Sequence, residues 1–368
     1  MKYYWLMACI LIFTVGCQPA EKSTFQPENQ PATAMQEFRK EEMASISLQT
    51  KEDEREEATA EPDHNQNQEP EPAIQPEPAP EPDSDPEQEP EVTVTTNPAK
   101  TPAQTLEWAL DQLPENKRLM FSLYDFATGE TLSHNGDRVI FPASMIKTLY
   151  LAVFLEEVKY ERQSLDTEYI LQQRDKYAGS TIVGGMGLLQ YEPSGTKVTH
   201  AELLSLMVAE SDNVATNIIT NILGFQHIND RIKEYGLKNT RAHRKMFDLE
   251  SDSPHNLTTL DDLIQLLILI EEKALFDGPL HEKALDIKRG SSKCRIGRYA
   301  PTDVKVANKL GNTATILADM AIIHFPHREP IALAVMIQGK NRHQIDDEAN
   351  AELMGRLSEH IINYYLQN

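Results

Sequence analysis

Phe141-Pro142-Ala143-Ser144-Met145-Ile146-Lys147 opens an apolar run that continues to Val158 and sets a serine and a lysine three residues apart. Positions i and i+3 share a helix face, so the spacing predicts a helix over 144–158 with the Ser144 hydroxyl and the Lys147 amine within hydrogen-bond reach. A serine hydroxyl is a poor nucleophile until a base takes its proton. A lysine that is partly desolvated and close to other cations is neutral often enough to do so. Alone the pattern is weak, because Ser-x-x-Lys arises by chance about once in a chain of this length. The ordinary alternative is a solvated lysine on an unremarkable helix.

Two further stretches change that reading. Ser211-Asp212-Asn213 interrupts the apolar residues 203–208 and 214–219. Buried polar groups must be paired, so these three either form a network, face a cleft, or cap a helix junction through Asp212. Lys309-Leu310-Gly311-Asn312-Thr313 stands at the start of a plausible strand. There Lys309 supplies a cation, and the missing side chain of Gly311 admits a substrate backbone to the strand edge.

Around these motifs the chain from Thr101 onward is patterned as a globular domain. Helices are predicted over 101–113, 201–223, 260–272 and 349–366, and strands over 119–126, 130–133, 318–325 and 331–338. Strands at both ends with helices between them imply one α+β domain whose sheet collects strands from the two termini. No internal repeat is visible.

The order Ser-x-x-Lys, Ser-Asp-Asn, Lys-x-Gly, with Ser211 following Ser144 by 67 residues and Lys309 following Ser211 by 98, resembles the motif set of class A serine β-lactamases and related penicillin-binding enzymes. The similarity spans residues 104–366 and includes Ala209-Glu210-Ser211-Asp212-Asn213-Val214-Ala215-Thr216-Asn217 and Asn256-Leu257-Thr258-Thr259. It implies an antiparallel sheet flanked by helices with an inserted helical lobe, and catalysis through a covalent acyl-enzyme. By the same resemblance Ser144 is the nucleophile and Lys147 its base. Ser211 relays a proton to the departing nitrogen, and Lys309 holds the site electrostatically. Asn213 orients the substrate side chain and Lys147. The amides of Ser144 and Asn312 form the oxyanion hole, with Gly311 and Thr313 beside them in the substrate-binding strand.

Two positions depart from the family. Leu310 stands where a hydroxyl residue helps hold the substrate carboxylate, which either shifts that task towards Thr313 or Thr315 or weakens carboxylate recognition. In the segment 241–250, alignment from Thr240-Arg241 puts Met246 where efficient class A enzymes carry the glutamate that activates the deacylating water. Asp248 and Glu250 are the nearby acids. The ordinary expectation for each is a salt-bridged loop residue. Substrate alternatives therefore stay open: β-lactams or related amides, a D-alanyl-D-alanine carboxypeptidase or cell-wall amidase, or a catalytically weak module binding β-lactams or wall peptides.

The rest of the chain bears on location. Lys2, the apolar run 3–13 and Thr14-Val15-Gly16-Cys17 read as a secretory signal over 1–17 with a lipobox-like end, making Cys17 the expected lipidation site. Residues 18–100 show almost no apolar periodicity, and Glu61 to Glu91 repeats Glu-Pro and Asp-Pro pairs, which deny a helix its donors and repel one another, so an extended acidic tether is expected before a catalytic domain over 101–368. The first 100 residues hold 21 of the 57 acids but 7 of the 35 bases, so most of the net charge of −22 belongs to the tether. That balance argues against a nucleic-acid partner. The expected partners are a small-molecule or peptide amide and, through the anchor, the membrane of a bacterial envelope; a monomer is expected. Cys294 is left without a disulfide partner and reads as a small buried apolar residue. No cofactor is expected, nor a metal, since zinc-type spacings are missing.

Overall fold

The computed structural model describes residues 100–291, 293–340 and 347–368. The signal segment, Cys17 and the tether up to residue 99 lie outside the described residues. Strands β1 (Lys117–Asp125), β2 (Thr131–His134), β7 (Lys305–Thr313), β8 (Ile316–His324) and β9 (Ile331–Gly339) form one antiparallel sheet in the order β2-β1-β9-β8-β7. The register runs from Lys117 opposite Gly339 to Asp125 opposite Ile331, which inserts the last strand beside the first.

Both faces of that sheet are covered. Along β9, Ala332, Ala334 and Met336 enter the core beneath the helical lobe, while Ile331, Leu333, Val335 and Ile337 enter a second core on the opposite face. This is the two-residue period of a strand packed on both sides. The second core is closed by α1 (Pro102–Gln112) and α8 (Asp347–Gln367). Thr101 caps α1, and Gln104 returns the bond to the Thr101 amide, which stops the helix one residue short of the predicted start.

The lobe inserted between β2 and β7 is built around α2 (Lys147–Lys159), whose residues 147–157 are all buried. A helix with no solvent face lies in the centre of a core. Short strand pairs β3 (Glu168–Ile170) with β6 (Lys197–Thr199), and β4 (Tyr177–Ala178) with β5 (Thr181–Ile182), form its rim. The helix expected over 201–223 is two helices, α3 (His200–Val208) and α4 (Asn213–Leu223). Ser211 breaks it with a φ of 58°, and Asp212 restarts it by accepting the Ala215 amide at 2.8 Å.

Helices α5 (Phe225–Glu234) and α7 (Gly278–Arg289) were not expected from the sequence, whereas α6 (Leu260–Glu271) was. In α5 only Ile228 and Ile232 are buried, one pair and no stripe. In α7 the buried face includes His281 and Lys288, so an apolar template misses it.

Candidate active site

The nucleophile segment is not the start of an α-helix. Ala143–Ile146 is a 3₁₀ turn, and α2 begins at Lys147. Ala143, with φ at 45°, sets up the turn, and Ser144 is left half-buried on the wall of a cavity of about 270 Å³. Ser211 and Phe247, with φ of 58° and 60°, line the same cavity. Each such left-handed residue costs roughly 1–3 kcal/mol, a strain that clusters at working sites.

Edge strand β7 runs past this turn. A methyl on Gly311 would come within 3.0 Å of Met145 Cγ and 3.3 Å of the Pro142 carbonyl. The glycine is therefore required by the close approach of the nucleophile turn. Asn312, Thr313 and half-buried Leu310 line the cavity from this strand.

Lys147 is fully buried. Its Nζ donates to the Ser211 carbonyl at 2.6 Å, to Asn213 Oδ1 at 2.9 Å and to Ser211 Oγ at 3.2 Å. Those three acceptors take all three ammonium protons, so the expected hydrogen bond to Ser144 is replaced by bonds to the Ser-Asp-Asn segment. Burial holds the Lys147 pKa well below the ordinary lysine value, Lys309 adds to the depression, and Asp212 opposes it. Lys309, almost fully buried, also donates to Ser211 Oγ, at 3.1 Å. Burial brings its pKa down to about 8, with Asp319 opposing and Arg295 assisting. Ser211 Oγ thus accepts from two lysines, which leaves its own proton to be given elsewhere.

Asn213, besides accepting from Lys147, donates to the Gly184 carbonyl at 3.0 Å. Asp212 lies out of the cavity: its carboxylate accepts the Ala215 and Leu189 amides. The facing wall is the loop 240–256. Asn256 Oδ1 accepts the amides of His243 and Arg244, and Asn217 accepts the Met246 amide. Met246, half-buried, lines the cavity. Among the described residues neither nearby acid forms the salt bridge expected of it. Asp248 Oδ1 accepts the Ser251 amide at 3.2 Å, and Glu250 accepts from the amide and hydroxyl of Ser180.

Sequence reasoning missed Lys293 and Arg295, both of which line the cavity. They sit in an irregular segment with no periodicity to mark them. Buried Asp319 on β8 organises that segment by accepting the amides of Arg295 and Ile296 at 2.9 and 3.1 Å. Cys294, in the same segment, is half-buried and accepts the Gly297 amide at 3.0 Å. Burial raises its pKa, the opposite of what a nucleophilic thiol needs.

With this geometry in view, the sequence model described as the β-lactamase enzyme family matches residues 105–365. The chain belongs to that family. It is 25% identical over 260 residues to β-lactamase ROB-1 of Haemophilus influenzae, covering 65% of this chain and 80% of that one. Its fold matches a β-lactamase from Sphaerobacter thermophilus with a TM-score of 0.63 at 24% identity, covering 72% of this chain and 95% of that one. It also matches a variant of PBP-A, determined as an acyl-enzyme complex with penicillin G, with a TM-score of 0.64 at 22% identity, covering 74% and 100%. The α+β fold and the serine β-lactamase-type hydrolase character follow from the family.

Proposed function

We propose that this hydrolase forms an acyl-enzyme at Ser144 with β-lactams or related amides and releases it slowly. The observation that carries the reading is the lysine pair converging on Ser211 Oγ, with Lys147 buried one turn after Ser144. Lys147, neutral part of the time because it is buried, takes the Ser144 proton as Oγ attacks the carbonyl carbon. The tetrahedral oxyanion is held by the amides of Ser144 and Asn312. Ser211, poised between two cations, passes its proton to the amide nitrogen as the C–N bond breaks. Lys309, Arg295 and Thr313 offer a substrate carboxylate the anchor that Leu310 lacks. Met246 supplies no base for the second half-reaction, so water attacks the ester slowly.

Intact-mass spectrometry after mixing with a penicillin tests this. The expected result is a persistent adduct that Ser144→Ala abolishes. Labelling that survives in the variant would move the nucleophile, and rapid release would refute slow deacylation. From the sequence alone we also propose that Cys17 carries a lipid anchor. Cys17→Ser should then shift the protein out of the membrane fraction, and equal partitioning of both forms would refute it.

A further inference from the structure

Phe247 stands in a conformation that a bulky side chain rarely adopts, with φ at 60°. Such a conformation persists only where the surroundings hold it. Asn217 fixes the residue before it, accepting the Met246 amide and donating to the Met246 carbonyl. From there the half-buried Phe247 ring reaches the segment Gly184-Gly185-Met186-Gly187, whose Gly185 and Met186 also line the cavity. A methyl on Gly185 would come within 3.0 and 3.2 Å of two ring atoms and 3.1 Å of Asn213 Nδ2, and one on Gly184 would lie 3.6 Å from the ring. The ring edge and the Asn213 side chain therefore close on the same stretch of glycine backbone.

That stretch has little stiffness of its own, since glycine restricts the backbone least. Gln190 Nε2 ties it from within, donating to the Gly185 and Gly187 carbonyls at 2.8 and 3.0 Å. The Gly184 carbonyl accepts Asn213 Nδ2 at 3.0 Å, while Asn213 Oδ1 accepts Lys147 Nζ at 2.9 Å. A primary amide can present either its oxygen or its nitrogen to a neighbour, and its partners decide which. Here a carbonyl, which only accepts, pins the nitrogen and leaves the oxygen facing the ammonium. Should Gly184 drift, the amide is free to turn, and Lys147 loses one of the three acceptors that fix its amine.

We infer, on the acyl-transfer reading above, that Phe247 is a positioning residue for acylation: its ring holds the Gly184 carbonyl against Asn213 and so fixes the orientation of Lys147. The loop 240–256 then serves the first half-reaction as well as the second. Phe247 acts through Asn213 and not on the substrate.

The test follows the second-order rate of Ser144 labelling by benzylpenicillin as a function of pH. Phe247→Ala should slow labelling by about tenfold, because a displaced reacting group loses alignment steeply. It should also move the acidic limb of the profile to lower pH, since an ammonium that loses an acceptor gives up its proton more easily. Phe247→Leu, which keeps apolar bulk over the glycines, should recover most of the rate. A double-mutant cycle decides the route: in an Asn213→Ala background, Phe247→Ala should have no further effect. An unchanged rate and profile in Phe247→Ala would overturn the inference. So would a further tenfold loss on top of Asn213→Ala, which would make Phe247 a direct substrate contact while leaving acyl transfer at Ser144 intact. A wild type that benzylpenicillin does not label would overturn both.

Discussion

The side chain of Asn217 grips the backbone of Met246 from both sides, accepting its amide at 2.8 Å and donating to its carbonyl at 3.0 Å. Asn217 belongs to α4, the same helix that carries Asn213, so residue 246 is fixed relative to the Ser-Asp-Asn segment. A side chain at 246 is therefore aimed reproducibly at the cavity, and its chemistry decides what happens to an acyl-enzyme. Met246→Glu should speed adduct hydrolysis by roughly 10²-fold, the usual contribution of a placed general base. The check is the adduct lifetime by mass spectrometry. Asp248→Asn and Glu250→Gln should leave it unchanged, since those acids hold Ser251 and Ser180. A large effect from either would make that acid the base.

The two site lysines set opposite limbs of a pH profile. Acylation needs Lys147 neutral, so its rate should rise as pH climbs through the depressed Lys147 pKa. It also needs Lys309 cationic beside Ser211, so it should fall as pH passes about 8. Lys309→Arg keeps the charge at any accessible pH. Labelling rates from pH 5 to 10 should show the alkaline fall in the wild type and its loss in Lys309→Arg, at a lower maximum because the longer side chain is crowded. An alkaline limb that persists in the variant would assign it to another group.

Much of this site was legible in the sequence, for a physical reason. Ser144, Lys147, Ser211, Asn213 and Lys309 are polar residues inside apolar runs, and such residues must find partners. The contacts among them could not be read, because Lys147 meets Ser211 only through the break between α3 and α4. That break depends on one left-handed residue, Ser211, which no periodicity announces. Lys293 and Arg295 were invisible for a related reason: Asn308 holds the Lys293 carbonyl and Asp319 the Arg295 amide, each from a strand that no local sequence pattern connects to them. Gly311 was singled out for a substrate backbone, whereas its tight approach to Met145 and the Pro142 carbonyl depends on the tertiary fold and could not be read.

Gly311→Ala tests that approach. The added methyl would press on Met145 and on the Pro142 carbonyl, at 3.0 and 3.3 Å. Met145 can shift, but the carbonyl belongs to the turn that presents Ser144. A displaced nucleophile loses alignment steeply, so acylation should slow by about tenfold or more while the thermal transition moves by only a few degrees. Stopped-flow labelling and a melting curve separate the two. Unchanged acylation would show that the turn yields without moving Ser144.

Lys288 offers the last test, because it is buried for no reason that acyl transfer requires. It is fully buried on α7, its Nζ donating to Thr148 Oγ1 at 3.2 Å. Burial brings its pKa down to about 7, Lys309 pushes the same way, and Asp319 and Cys294 oppose. A cation whose folded pKa lies below its ordinary value of 10.5 costs stability in full below about pH 7. That cost fades as pH rises through the window from 7 to 10.5, where the unfolded chain also releases the proton. Lys288→Met removes the charge at similar volume and leaves only the Thr148 hydroxyl without its donor. It should stabilise the domain by roughly 1–4 kcal/mol at pH 6, the range for replacing buried charge with a well-packed apolar group. The gain should shrink at pH 10. Denaturant unfolding at the two pH values is the measurement. An equal difference at both would mean that packing, and not a buried charge, is what Lys288 contributes.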